Sequence, residues 1–185
     1  MKPVATHMSL SQWGLLLLLA FLWGGSFLFV GIAVKEVPPL TIVLARVALA
    51  AALLIPPVYA LGHRLPSSFA GWQPFFVMAI LNNVIPFTLI VTGQKEIASG
   101  LASVLNATTP VFALLVACAF AGEPLKANKL AGVLLGIAGV AVLVGPEAMF
   151  GRASTTIGMI CCLGGALSYG FSGCGAAGCA LIHRL

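Results

Sequence analysis

Apolar residues run along this chain in six long stretches. Each is close to the roughly 20 residues that an α-helix needs to cross a bilayer. The stretches cover residues 12–34, 40–61, 72–93, 99–120, 129–144 and 155–180. Short polar breaks separate them, among them Lys35-Glu36, Lys95-Glu96 and Gly122-Glu123-Pro124-Leu125. Breaks this short make neighbouring helices antiparallel hairpins, and Pro124 stops the fourth helix before the fifth begins. The pattern predicts an all-α fold: a polytopic transmembrane helix bundle in a lipid bilayer, with no soluble domain.

Composition agrees. The chain is 61% hydrophobic and 7% charged, against about 25% charged residues in globular domains. A soluble fold would have almost no polar surface to offer. The net charge of +5 comes from nine Lys and Arg against four Glu, and all of the nine but Arg46 are scattered singly among the breaks. Without a cluster they are no footprint for nucleic acid and act instead as topology signals. Lys2, Arg64, Lys126, Lys129 and Arg184 fall on one side, and Lys35, Lys95 and Arg152 on the other. That bias places the N-terminus in the cytoplasm. The first apolar run continues to Val34, too long for the roughly 7–15 residues of a signal-peptide core, so it is a retained crossing. Five cysteines lie in apolar or Gly/Ala-rich sequence, none near a histidine at metal spacing, so no metal or cofactor is expected.

Polar residues inside the spans carry the candidate chemistry. Trp23 sits near mid-membrane, away from the interfacial belt where tryptophan prefers to lie. It either packs between helices or touches a ligand. Arg46 lies roughly 9–12 Å along the second helix, where a guanidinium costs at least about 2.5 kcal/mol unless it snorkels or finds a partner. No carboxylate falls within the six stretches, so Arg46 either reaches the interface or faces a polar cavity that attracts an anionic or carbonyl-bearing solute. Asn82 and Asn83 are adjacent amides at mid-depth, about 100° apart on a helix, so at least one turns inward. Pro86 frees the carbonyl four residues earlier, that of Asn82, and Pro110 does the same for Asn106. With Thr108 and Thr109 these groups either bond between helices or line a solute path. Gly132, Gly136 and Gly139 in the fifth helix match the small-residue pattern of close helix packing.

Taken in order, Trp23-Gly24-Gly25-Ser26-Phe27, Pro39 with Leu44-Ala45-Arg46, Ala102 through Pro110, Gly122-Glu123-Pro124-Leu125, Gly132 and Gly139-Val140 resemble the EamA-type module of the drug/metabolite transporter superfamily. The resemblance covers about residues 12–145. It implies a five-helix repeat there, followed by a sixth helix over 155–180 that opens a second, inverted repeat. It also implies a bacterial inner-membrane transporter that moves a small metabolite or drug by alternating access. The solute would lie between the repeats, with Trp23, Asn82 and Asn106 on the cavity side.

The match fades after Gly170, where Cys174 to Leu185 replaces the expected aromatic and paired arginines. A frame change over Gly173–Cys179 in GC-rich codons would restore them, so a copy cut short by a frameshift is expected. Reading the DNA beyond the codon for Leu185 checks this. The polar faces would then meet the missing second repeat or, as a homodimer, a second copy. The small multidrug-resistance relatives couple protons through a carboxylate in their first helix, and this chain has none there. A competing role is a membrane anchor or assembly subunit without transport. An intramembrane enzyme is disfavoured, because Ser26, Ser99, Ser103 and Ser168 have no histidine or acid beside them in the spans.

Overall fold

The computed structural model of the chain describes residues 9–63, 65–120, 127–149 and 153–182. The connection Gly122–Lys126 and the charged residues Lys2, Arg64, Arg152 and Arg184 lie outside the described residues, and with them most of the topology signal.

Among the described residues eight α-helices and one π segment form the fold, in keeping with the all-α prediction, and five of the helical rods are long and apolar enough to cross a membrane. Helix α1 (Leu10–Ala33) opens with a capping box: the Gln12 backbone N–H donates to Ser9 Oγ at 3.3 Å, and the Ser9 backbone N–H donates to Gln12 Oε1 at 2.7 Å. These bonds occupy donors that a helix start leaves unpaired. Helix α2 (Pro39–Ala60) begins on a proline, whose missing N–H costs nothing in the first turn. Helix α3 (Phe69–Ala79) starts before the predicted residue 72. Ser68 caps it by accepting from the Gly71 N–H, and Trp72 Nε1 ties the entry to Pro66 O at 2.8 Å.

Two spans are broken. Ile80–Val84 winds as a π-helix between α3 and α4 (Ile85–Gly93), so the third span is one rod with a widened turn. The fourth span is two helices, α5 (Ser99–Asn106) and α6 (Thr109–Phe120), divided at Ala107-Thr108 just ahead of Pro110. Helix α7 (Ala127–Met149) runs past the predicted end at 144 and takes in Pro146 and Glu147. Hydropathy marks where apolar sequence stops, whereas backbone hydrogen bonding carries a helix further.

Helix α8 (Ala153–Ile182) is the centre of the bundle. It packs against α4, α5, α6 and the π segment, while α1 meets α5 and α2 meets α4. In α8, 39% of the apolar window is buried, against 6% in α1, which makes α1 peripheral. The buried face of α8 repeats every three or four residues through Met159, Cys162, Gly165, Ser168 and Ser172. Leu15, Leu17, Leu19, Phe21 and Phe29 of α1 are exposed, as side chains facing lipid would be.

Close approach depends on glycines of α4 and α8. A Cβ on Gly93 would stand 2.7 Å from Gly158 O and 2.8 Å from Cys162 Sγ. One on Gly165 would meet Ile90 Cγ1 at 2.8 Å, and one on Gly170 the Ala113 N at 3.0 Å. The glycines singled out in the fifth span are looser. Among the described residues Gly132 and Gly139 have nothing within 4 Å, and Gly136 meets Val111 at an ordinary 3.5 Å. The tight seam of the described residues therefore belongs to the sixth span.

That difference is testable in the purified chain. Gly170→Leu should lower stability by about 1–3 kcal/mol through overpacking. Gly139→Leu should stay within about 0.5 kcal/mol, as for an open position. Thermal unfolding in detergent reads both, and the reverse ranking would put the tight seam on α7.

Candidate functional site

The broken spans face one cavity of about 880 Å³. Helix α1 contributes Trp23, Phe27 and Val30 at helical spacing. The third span contributes Asn83, Phe87, Ile90, Val91 and Gln94, again one face of a rod. Helix α2 contributes Arg46, and the fourth span contributes Ser103, Asn106, Thr109 and Pro110. Helix α8 closes part of the wall with Tyr169 and Ser172.

All six residues singled out as solute contacts, Trp23, Arg46, Asn82, Asn83, Asn106 and Thr109, line this cavity. Trp23 is 65% exposed, so its ring is presented rather than packed away. Arg46 turns inward, its guanidinium carbon 4.4 Å from the centroid of the Phe87 ring. A cation over a ring face is attracted by the ring's quadrupole, which helps offset the loss of water. Among the described residues no carboxylate lines the cavity.

The carbonyl freed by Pro86 follows a different register from the one predicted. In the π segment the Ile85 N–H bonds to Ile80 O, five residues back. Extended by one residue, that pattern makes Pro86 the partner of Leu81, and proline has no N–H to give. The carbonyl left short is therefore Leu81 rather than Asn82. Ser168 of α8 meets it, its hydroxyl donating to Leu81 O at 2.8 Å. Four residues on, the Ser172 hydroxyl donates to Asn82 Oδ1 at 3.1 Å. One face of α8 thus repairs the backbone break and fixes the first amide. In the fourth span Thr109 Oγ1 donates to Asn106 O at 2.7 Å and Thr108 Oγ1 to Leu105 O at 2.6 Å, so Thr109 spends its proton on the break made by Pro110.

Two amide oxygens are buried without a partner among the described residues: Gln94 Oε1 and Asn106 Oδ1. The other end of Gln94 is committed, its Nε2 donating to Phe27 O at 2.9 Å. Gln94, Tyr169 and Ser172 escaped the sequence reading. Gln94 sits beside the Lys95-Glu96 turn and looked like part of it. Its spacing of seven from Phe87 and eleven from Asn83 was the available signal. Ser168 and Ser172, four apart, carried a similar one.

With this geometry in place, the kinship of the chain is informative. A model of the EamA-like transporter family matches residues 12–145. The chain belongs to the EamA-like transporter family. It is a multi-pass membrane protein of a transporter family. Protein PagO of Salmonella typhimurium is 32% identical over 125 residues, which are 66% of this chain and 40% of that protein. The uncharacterized transporter YvbV of Bacillus subtilis is 31% identical over 156 residues, 83% of this chain and 50% of the relative. The uncharacterized inner membrane transporter YedA of Escherichia coli K12 is 29% identical over 136 residues, 72% and 44% respectively. The chain thus spans about half the length of the curated relatives it matches. No solved structure matches it.

A double-mutant cycle tests the repair of the π segment. Ser168→Ala should cost about 1 kcal/mol by stranding the Leu81 carbonyl. In a Pro86→Ala background, where residue 86 regains its N–H, the same change should cost close to nothing. Equal costs in both backgrounds would remove Ser168 from the repair.

Proposed function

We propose that this chain forms half of a solute pathway and that the 880 Å³ cavity is where the solute binds. On this reading a small metabolite or drug crosses the bacterial cytoplasmic membrane by alternating access. The open side of the cavity is covered by a second five-helix repeat or a second copy of the chain, and the N-terminus is cytoplasmic. The observation that carries the reading is the convergence of two broken spans on one cavity. Irregular backbone is tolerated at membrane depth where it is buried in protein or lines a water-filled space. Here the π segment and the Ala107-Thr108 break both place amides on the same wall. Discontinuous helices of this kind frame solute sites in many transporters. The volume also falls within the roughly 300–1,000 Å³ of pockets for small molecules.

Cysteine labelling in cell membranes tests it. In a background with the five native cysteines replaced by alanine, Asn82→Cys should react with a water-soluble maleimide. Its rate should exceed that of lipid-facing Leu17→Cys by about tenfold or more, because only a hydrated thiol ionises readily. Equal and negligible labelling at both positions would defeat the solute-pathway reading.

A further inference from the structure

Among the described residues the lining of this cavity carries charge of one sign. Arg46 supplies a full positive charge, and no carboxylate faces it among the described residues. Its ring partner Phe87 attracts the charge but offers no oxygen to the guanidinium's N–H donors, and Tyr169, which also acts on Arg46, brings a phenol rather than a carboxylate. Those donors match the planar geometry of a carboxylate, which a guanidinium grips through two parallel bonds. In a membrane interior an uncompensated charge is costly, so a counter-charge brought by the solute is favoured and a second positive charge is opposed.

The rest of the wall describes the remainder of the solute. Trp23, Phe27, Met78 and Phe87 give it apolar and aromatic surfaces. Gln94 and Asn106, only 6% and 9% exposed, each hold an oxygen with no donor. Gln94 lies on the same face of α4 as Phe87, seven residues on, or about 10 Å along the axis. An oxyanion at Arg46 and an N–H or O–H donor near Gln94 or Asn106 can therefore belong to one molecule with an apolar middle.

We propose that the cavity takes a singly charged organic anion with an apolar or aromatic body and a donor group at its far end. Arg46 holds the oxyanion, and Gln94 or Asn106 accepts from the donor. This rests on the solute-pathway reading and adds to it the sign of the charge and the order of groups. A zwitterion is a poorer guest, because its ammonium finds only amide oxygens. A cation is poorer still.

Four phenols that differ in charge separate the cases: 4-hydroxyphenylacetate, free tyrosine, tyramine and neutral 4-methylphenol. Equilibrium binding is measured on the full chain in lipid nanodiscs, with empty nanodiscs subtracted. The expected order is anion, then zwitterion, then cation, with about tenfold or more between the first and last. Arg46→Lys keeps that order because it keeps the charge, and Arg46→Gln flattens it. A flat or reversed order while 4-methylphenol binds overturns the anion assignment and leaves a solute cavity standing. Binding of none of the four overturns it as well, and labelling at Asn82→Cys then decides separately whether the pathway reading survives.

Discussion

In a bilayer every backbone N–H and C=O must find its partner inside the protein. Among the described residues the third and fourth spans are interrupted near their middles, at Pro86 and at Pro110, and the cavity wall follows from how those two breaks are mended. At the second break the repair is local, with Thr109 bonding back to Asn106 O. At the first it is distant, with Ser168 reaching Leu81 O from another helix, 87 residues away in sequence. A local repair holds wherever the helix goes. A distant one holds only while the two helices stay in register.

Register is what the glycines secure. Gly93 and Gly158 let the α4 and α8 backbones come within contact of each other, and Gly165 lies against Ile90 and Pro86 O. A hydroxyl on so short a side chain as serine reaches a neighbouring carbonyl only across such a seam. Small residues in α8 and the hydroxyl bond to the π segment are therefore one device. Without the close approach, Leu81 O would stand unpaired in an apolar interior. Without the hydroxyl, the approach would serve packing alone.

Much of this was legible in the sequence, and unevenly. Spans are easy to see because length and hydropathy carry them, and the six predicted stretches correspond to six helical rods. Trp23, Arg46, the asparagine pair at 82 and 83, Asn106 and Thr109 stood out because polar or bulky groups are expensive at mid-depth, and all of them line one cavity. The π register was hidden, since nothing in Ile80–Val84 distinguishes five-residue from four-residue bonding. That is why the orphaned carbonyl was assigned one residue too late. Gln94 was hidden by its neighbours, because a charged turn makes an adjacent amide look solvated. The glycine ladder of the fifth span misdirected attention for a related reason. Spacing shows that a helix can pack closely, whereas the contacting partner is fixed by the tertiary arrangement, which here favours Gly158, Gly165 and Gly170.

The widened turn also explains why adjacent amides can share one wall. On an α-helix neighbouring side chains diverge by about 100°, so Asn82 and Asn83 would ordinarily face different surroundings. A π turn holds more residues, so each residue rotates the chain less and neighbours point more nearly together. Both asparagines line the cavity, and Ser172 occupies Asn82 Oδ1. The proline that removes a donor, the turn that opens to accommodate it and the serines that answer from α8 thus converge on a single result. They turn a backbone defect, which lipid would not tolerate, into two amides presented to the cavity beside Arg46.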